Sequence, residues 1–371
     1  MVGGGPVGAS LVRALEGHAV AFIASPPEVT AQAGFDPRVY ALSPGNVEFL
    51  RAIGAWQSLA PERLTRVEAM RIFGDDTRAA LEFDAYEAGV RELAWIVEDG
   101  ALQRALWSGL SGMALRCERL EIAAEHAVLS FADGAPLAAR LVVGADGAHS
   151  FVRQAAGIAA RERSFGQMAV VANFHCSKAH WGVAHQWFQG GPVLALLPLP
   201  DGQVSMVWSL PEEEGRRVTA LSGDALAVEV GRAAHGMLGA LEIASPVRSF
   251  PLQRLSAQRM VSSRVALAGD ASHVVHPLAG QGLNLGLQDA RALAETIARR
   301  EPGRDPGDYR LLRRYERRRA EPILAMDGVI SGLFALHSAS NAAAGRVRNA
   351  GLNLTNRMAV LKNILMRQAM S

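Results

Sequence analysis

Apolar positions divide the chain into stretches of two kinds. Over residues 168–211 they alternate or run in short blocks, at 170–174, 185–188, 193–199 and 204–210, with turn residues between, which predicts antiparallel strands. Residues 198–202, PLPDG, form a hairpin turn by composition. These strands are rich in Leu194, Leu196, Leu197, Leu199, Met206, Val207 and Trp208, so one face is expected on the core and the other along an apolar pocket. Alternation at Met70 and Ile72, and again at Leu81 and Phe83, places strands of this second sheet over residues 67–84. Residues 19–24, 94–97, 247–251 and 264–268 predict further strands. Helical spacing marks residues 9–16, 45–53, a stretch through Gln103 and Leu106, residues 223–240 and the chain after Gly282.

Three glycine-bearing turns stand where strands give way to helices. The first, GGGPVG, sets Gly3, Gly5 and Gly8 at the spacing that serves a tight turn, close approach to a pyrophosphate and close packing of helix on strand. Alone it is a weak signal. The strand before it is reduced to Met1 and Val2, so either the true start lies upstream or the fold tolerates a short central strand. At the end of strand two, where an acid ordinarily accepts from a ribose, the sequence has Ala24 and Ser25, with Glu28 farther along. Weakened nucleotide affinity is the expectation. The second turn follows a β-branched strand ending at Gly144, bends at Asp146 and Gly147, and starts a helix at Ser150. The third, residues 269–290, leaves a buried strand at Gly269, offers Asp270, passes His273, His276 and Pro277, and opens a helix at Gly280 and Gly282. Ligands of open α/β sheets sit at strand carboxyl ends and helix amino termini. Two strands ending in glycine and then aspartate therefore point to one shared ligand. The loop GFDPRVYAL, residues 34–42, adds Asp36 and Arg38, read either as a surface ion pair of little energy or as an arginine beside a phosphate site.

Composition narrows the choice. A chain of 371 residues exceeds the size at which single cores stop growing, about 250 to 300 residues, so two or three lobes are expected. A net charge of +2 gives no global field for nucleic acid. Cys117 and Cys176 are too far apart in sequence to form a metal-ligand spacing, which favours a reducing compartment. No apolar run reaches the roughly 18 residues needed to span a bilayer, so a cytoplasmic location is expected. His273 and His276 have no acidic or cysteine companions in sequence, so no metal is expected; structural and proton-handling roles both stay open. The arginine run at 313–319 reads as a solvated helix face. Beyond Gly328 there is no acidic residue, while Leu354, Met358, Leu361 and Leu365 recur at helical spacing among Arg346, Arg348, Arg357, Lys362 and Arg367. That pattern predicts a basic amphipathic helix, docked on the protein's own core, on anionic lipid or on a partner.

Taken in order, GGGPVG, GADGAHSFVR and GDASHVVHPLAGQGLNLG closely resemble the flavin-dependent aromatic hydroxylases of the p-hydroxybenzoate hydroxylase type. Within that group, GFDPRVYAL, LLPLPDG and HPLAGQGLNLG resemble the ubiquinone-biosynthesis hydroxylases. The resemblance runs over almost the whole chain, to GLNLTNRMAVLKNILMRQA at its end. It implies an α/β fold: a Rossmann-like FAD-binding domain (1–66, 98–160 and 254–312), an inserted α+β substrate domain built mainly on antiparallel sheet (67–97 and 161–253), and a helical region at 313–371. It implies FAD as cofactor, NAD(P)H as transient co-substrate, and O2 delivered through a flavin hydroperoxide to the ring of a polyprenylated phenol. A biosynthetic complex at the inner face of the cell membrane is the implied setting. By the same resemblance Gly3, Gly5 and Gly8 face the FAD pyrophosphate, Arg38 and Gln103 touch the cofactor, and Asp146 stands near the pyrophosphate and the nicotinamide's access route. Gly269 and Asp270 receive the ribityl chain, and Pro277, Gly280, Gln281, Gly282, Leu283 and Asn284 lie along the flavin ring. His276, Pro277, Gly280, Gln281 and Gly282 would stand nearest the chemistry. The alternatives are another FAD enzyme on this scaffold, such as a prenyl reductase or a halogenase, although no W-x-W-x-I-P motif is present, and an accessory subunit that holds FAD weakly.

Overall fold

The computed structural model describes residues 1–28, 34–74, 80–276 and 281–338. At its centre is a parallel sheet made of very short pieces. Val2 bridges Gly144 on one side and Ile23 on the other, and Ile23 bridges Met113. The strand Val142–Gly144 runs parallel to Val265–Leu267, which pairs in turn with Val261–Ser262. The spatial order is therefore 113, 23, 2, 142–144 and 265–267, so the three glycine turns leave three neighbouring strands on one side of the sheet. The strand expected at 19–24 is reduced to its bridge at Ile23. Its ladder is real but short: Ile23 N–H donates to the Met1 carbonyl, Gly3 N–H to Ile23 and Ala24 N–H to Met113.

Helices flank this sheet. Helix α1 (Pro6–Ala14) opens on a proline, whose missing N–H costs nothing in a first turn. Helix α2 (Pro44–Ala52) is capped by Ser43, α3 (Asp99–Trp107) follows the strand Ala94–Glu98, and α4 (Phe151–Ala155) is capped by Ser150. Helices α5 (Glu212–Thr219) and α6 (Gly223–Ala233) cover the second sheet, and α7 (Gly282–Ala298) and α8 (Tyr309–Ser338) close the first. Helix α6 stops short of residue 240 because His235 and Gly236 both adopt positive φ, 52° and 64°, which unwinds the helix end. A three-stranded sheet at Cys117–Ile122, Ala127–Phe131 and Leu137–Ala139 was not foreseen from the sequence.

Among the described residues the second sheet has nine strands, in the order His273–Val274, Arg248–Ala257, Ala160–Cys176, Gln203–Pro211, Val193–Pro198, Val183–Phe188, Ala69–Phe73 and Ala80–Asp84, with Leu241–Ile243 on the side of Ala160–Cys176. All pairings are antiparallel except that of Val183–Phe188 with Ala69–Phe73. The hairpin at 198–202 closes through Asp201 and Gly202, both at positive φ, the geometry a tight two-residue turn requires. Strand alternation splits the apolar residues named above. Leu194, Leu196, Met206 and Trp208 lie with Val170, Phe174 and Trp187 under Val218, Leu226 and Val230 of α5 and α6. The opposite face is lighter: Ala195, Leu197 and Val207 are only half-buried there, while Phe188 and Val193 pack on Val275 and Leu285. The bulkiest residues thus build the core under α5 and α6, while on the opposite face Leu197 packs with Phe35, Val67 and Ile96.

Candidate functional site

Gly3 and Gly8 are demanded by packing. Gly3 has a φ of 104°, and a Cβ on it would lie 2.2 Å from the Ala145 carbonyl oxygen; one on Gly8 would lie 2.0 Å from the Gly3 carbonyl oxygen. Gly5 is different. Among the described residues nothing lies within 4 Å of its Cβ position, and the start of α1 behind it has neither a side-chain cap nor an acid in its first turn. Unpaired N–H groups facing open space are a seat for an anion. The Gly4 carbonyl accepts from Trp107 Nε1 at 2.8 Å, and the Trp107 ring stacks on Phe22 at 4.8 Å. Ala24 packs beside Gly4 and Trp107, while Ser25 and Glu28 are exposed. Asp146 spends both carboxylate oxygens on the start of α4, accepting from Ser150 Oγ at 2.5 Å and Val152 N–H at 3.1 Å.

The third turn lies against the first. Val7 of α1 sits between Gly269 and Gly286, where added Cβ atoms would come within 3.0 and 2.5 Å of its Cγ2. Only glycines let α1, α7 and the turn approach so closely. Asp270 is exposed at its surface, yet protein packs closely around it. Burial raises its pKa, while His273 and Arg38 draw it back toward the ionised form. Arg38 arrives from the loop before the strand Val39–Leu42. Its guanidinium lies 3.7 Å from Asp99 and over the rings of Tyr40 and Phe250, at 5.7 and 5.9 Å. Asp36 does not form the side-chain ion pair with Arg38 that the sequence offered. It accepts instead from the backbone N–H of Arg38 at 2.9 Å and of Gly100 at 3.3 Å, and so fixes the loop. Gln103 Nε2 and Tyr40 OH both donate to the same Asp99 oxygen, at 2.9 and 3.0 Å, so Gln103 reaches Arg38 only through Asp99.

The sequence reading missed what holds this loop. Arg63 donates from Nε and Nη2 to the two oxygens of Glu98, each at 2.7 Å, and Glu98 accepts the Asp36 N–H at 2.6 Å. Glu98 is almost fully buried and Arg63 stacks on Phe35. Nothing in the local pattern marks a pair 35 residues apart. A cavity of about 310 Å³ opens beside Arg63 and Glu98 but contains neither Asp270 nor the glycine turns, so the site rests on convergent groups rather than on that cavity.

At the start of α7, among the described residues, Gln281 stands at the cap position without a side-chain hydrogen bond, the first turn has no acid, and a Cβ on Gly282 would meet nothing within 4 Å. Leu283 is half-buried against the core. Asn284 is fully engaged: Oδ1 accepts from Ser43 N–H at 2.9 Å and Asn46 Nδ2 at 2.8 Å, and Nδ2 donates to the Ala41 carbonyl at 2.8 Å. Its side chain therefore ties α7 to the Arg38 loop and strand, and only its backbone is left for a ligand. Replacing Asn284 by leucine is expected to lower the unfolding free energy by about 2–4 kcal/mol, since several buried groups lose partners. A urea titration showing less than about 1 kcal/mol would contradict this lock. Pro277 and Gly280 lie outside the described residues.

His273 donates from Nε2 to Asp289 at 2.7 Å and is buried. His276 donates from Nε2 to Gln167 at 2.9 Å, meets the Phe165 ring edge-on at 4.6 Å, and is 1% exposed. Burial holds its pKa down to about 4, so it is a neutral ring at neutral pH, fastening the end of the turn to the second sheet. His185 is likewise held at about 4 by burial, with Arg71 adding to the effect. Both folded values lie below the unfolded one, so the unfolded chain takes up protons first as pH falls. Stability is expected to drop between about pH 6.5 and 4 by up to about 1.4 kcal/mol per pH unit for each ring. His276→Gln should flatten that slope in denaturation series at stepped pH; an unchanged slope would contradict a buried neutral His276.

The profile of a family described as an FAD binding domain matches residues 1–326. The chain belongs to that family. Over its whole length it is 33% identical to ubiquinone hydroxylase UbiL of Rhodospirillum rubrum, covering 88% of that protein, and 32% identical to 3-demethoxyubiquinol 3-hydroxylase of Escherichia coli, covering 97%. Ubiquinone biosynthesis monooxygenase COQ6 of Drosophila melanogaster is 31% identical over 99% of the chain and 88% of the relative. Among solved structures, HpxO of Klebsiella pneumoniae, complexed with FAD and uric acid, has a TM-score of 0.75 at 18% identity, covering 99% of this chain and 96% of that one. The p-nitrophenol 4-monooxygenase PnpA of Pseudomonas putida reaches 0.77 at 18% identity, covering 100% and 97%. These two share the fold. The protein is an FAD-dependent monooxygenase, and its own residues fit that cofactor. An uncapped helix with open space at Gly5 suits a pyrophosphate, Asp270 offers an acceptor to a hydroxylated chain, and the uncapped start of α7 at Gly282 suits an electron-rich ring edge.

Proposed function

We propose that the protein hydroxylates the aromatic ring of a polyprenylated phenol on the route to ubiquinone, consuming one NAD(P)H, one proton and one O2 per product and releasing NAD(P)+ and water. The observation that carries this reading is the convergence of three glycine turns, Arg38 and Asp270 on one end of one sheet, in a chain whose full-length relatives are named for ubiquinone biosynthesis. When bound, FAD supplies the redox chemistry, accepting a hydride and activating oxygen. The protein supplies the rest. Gly5 and the first turn of α1 would hold the pyrophosphate, Asp270 the ribityl hydroxyls and Arg38 the outer edge of the site. The first turn of α7 would set unpaired N–H groups against negative charge on the reduced ring. Phe188, Val193, Val275 and Leu285 pack where the second sheet meets this turn and would exclude water from it. His276, neutral and bound to Gln167, would hold the two halves of the site in register.

A prenylated substrate partitions into membrane. No helix among the described residues is long and apolar enough to cross one. The basic stretch at 351–369, which lies outside those residues, is proposed to attach the protein to anionic lipid beside partner enzymes at the cytoplasmic membrane face. Deleting residues 351–371 should lower co-sedimentation with anionic liposomes, and unchanged binding would remove the idea. For the reaction itself, purified protein reconstituted with FAD should oxidise NAD(P)H faster when a prenylated phenol is added, with hydroxylated product. NAD(P)H oxidation that yields only hydrogen peroxide with every prenylated phenol tried would overturn the substrate assignment.

A further inference from the structure

Helix α8 reaches into the third glycine turn. Over little more than one turn of helix, three residues of the presumed solvent-facing arginine run and its border point inward. Tyr315 OH donates to the Leu267 carbonyl at 2.8 Å, Glu316 accepts the Met260 N–H at 2.7 Å, and Arg319 Nε donates to Asp289 Oδ1 at 2.6 Å. Arg319 Nη2 also reaches the Leu285 carbonyl at 3.2 Å. The second Asp289 oxygen accepts twice, from Gly269 N–H at 2.9 Å and His273 Nε2 at 2.7 Å. Asp289 has no exposed surface, and Arg319 and His273 are each 5% exposed. Burial pushes the Asp289 carboxyl up, but His273 and Arg319 outweigh it and hold the group ionised. Arg319 is thus no solvated side chain but one half of a buried ion pair.

We propose that Arg319, Asp289 and His273 form a positioning relay that sets the Gly269–Asp270 turn and, through it, the hold of Asp270 on FAD. The inference rests on the reading of Asp270 as a cofactor ligand. Gly269 sits at a φ of 61° and, being glycine, has many other conformations open to it. Its N–H bond to Asp289 anchors it, and Asp289 can stay charged at zero exposure because Arg319 and His273 face it as donors alongside that N–H. His273 leaves the strand at 273–274 with Nδ1 unpartnered among the described residues, and interacts electrostatically with Asp270 next along the turn. None of the three touches the reacting atoms. Each acts through the turn.

Titrating FAD into apoprotein by flavin fluorescence, together with melting of apo and loaded protein, tests the relay. Arg319→Met is expected to raise the FAD Kd about tenfold or more, and Arg319→Lys, which keeps a charged donor for Asp289, to restore it to within about threefold. If Arg319→Met does not fold, His273→Phe, which removes one donor and leaves α8 intact, should still raise the Kd at least about threefold. A purely structural role predicts a lower apo melting temperature with the FAD Kd of both variants within about twofold of wild type, and that result overturns the relay. Asp270→Ala measured alongside separates the two readings: if it releases FAD while the relay variants bind normally, only the relay falls. If Asp270→Ala binds FAD normally, the reading of Asp270 falls and takes the relay with it.

Discussion

Gly8→Ala is expected to destroy FAD binding and to destabilise the apoprotein, whereas Gly5→Val should destroy FAD binding and leave the apoprotein as stable as before. The contrast follows from what each Cβ meets. At Gly8 it would fall 2.0 Å from the Gly3 carbonyl oxygen, and a backbone atom on a turn already fixed at positive φ cannot move aside cheaply. Overpacking of buried positions costs about 1–3 kcal/mol, and a clash with main chain belongs at the top of that range or above it. At Gly5 the backbone is extended, with a φ of −65° and a ψ of 178°, and the Cβ meets nothing among the described residues. The valine side chain would instead occupy the space in front of the helix, where the pyrophosphate is proposed to sit. Apo melting temperature and bound flavin absorbance, measured on the same preparations, check both. A Gly5→Val protein that purifies with its full flavin content would disprove the phosphate seat.

Asp270→Ala is expected to raise the FAD Kd about 10- to 100-fold, the worth of a hydrogen bond to a charged acceptor, about 1.5–3 kcal/mol. It also removes the anion that faces Arg38 across the site, so Arg38 would be left with Asp99 at 3.7 Å. Asp270→Asn, which keeps an acceptor oxygen but not the charge, should fall between alanine and wild type. Equilibrium dialysis of FAD against the three proteins gives the order directly; equal retention by all three would show that the ribityl contact lies elsewhere.

How far these positions were legible in the sequence depends on how local their causes are. Glycine requirements are local, so Gly3, Gly8 and Gly269 announce themselves by spacing, and the hairpin at Asp201 and Gly202 does so by composition. Strand alternation placed most of the second sheet but could not say which face each residue takes. Leu194 and Trp208 went under α5 and α6 beside Val218, Leu226 and Val230, while Phe188 and Val193 took the opposite face against Val275 and Leu285. The strand at 19–24 shrank to one bridge at Ile23, since the segments beside it, at Val2 and Met113, are themselves a residue long. Long-range polar pairing was not legible at all. Arg63 and Glu98 are 35 residues apart, Asp289 and Arg319 are 30, and Asn284 reaches back 241 residues to Ser43. Composition does not distinguish Arg319 from the exposed arginines beside it; only its wheel position, four residues after the buried Tyr315, signals that it turns inward. Asp36 and Arg38 were open to two readings in sequence, and closeness did not decide between them: the fold uses Asp36 to fix backbone and pairs the Arg38 guanidinium with Asp99.

The central claim is that this site moves one oxygen atom from O2 to a prenylated phenol. The most direct measurement is mass spectrometry of the product formed by FAD-loaded protein, NAD(P)H and a polyprenylated phenol under isotopically labelled dioxygen. The account predicts a product carrying one labelled oxygen on the ring, with one NAD(P)H consumed for each molecule formed. A hydroxylated product whose new oxygen comes from water, or one that forms equally well under argon, would contradict it.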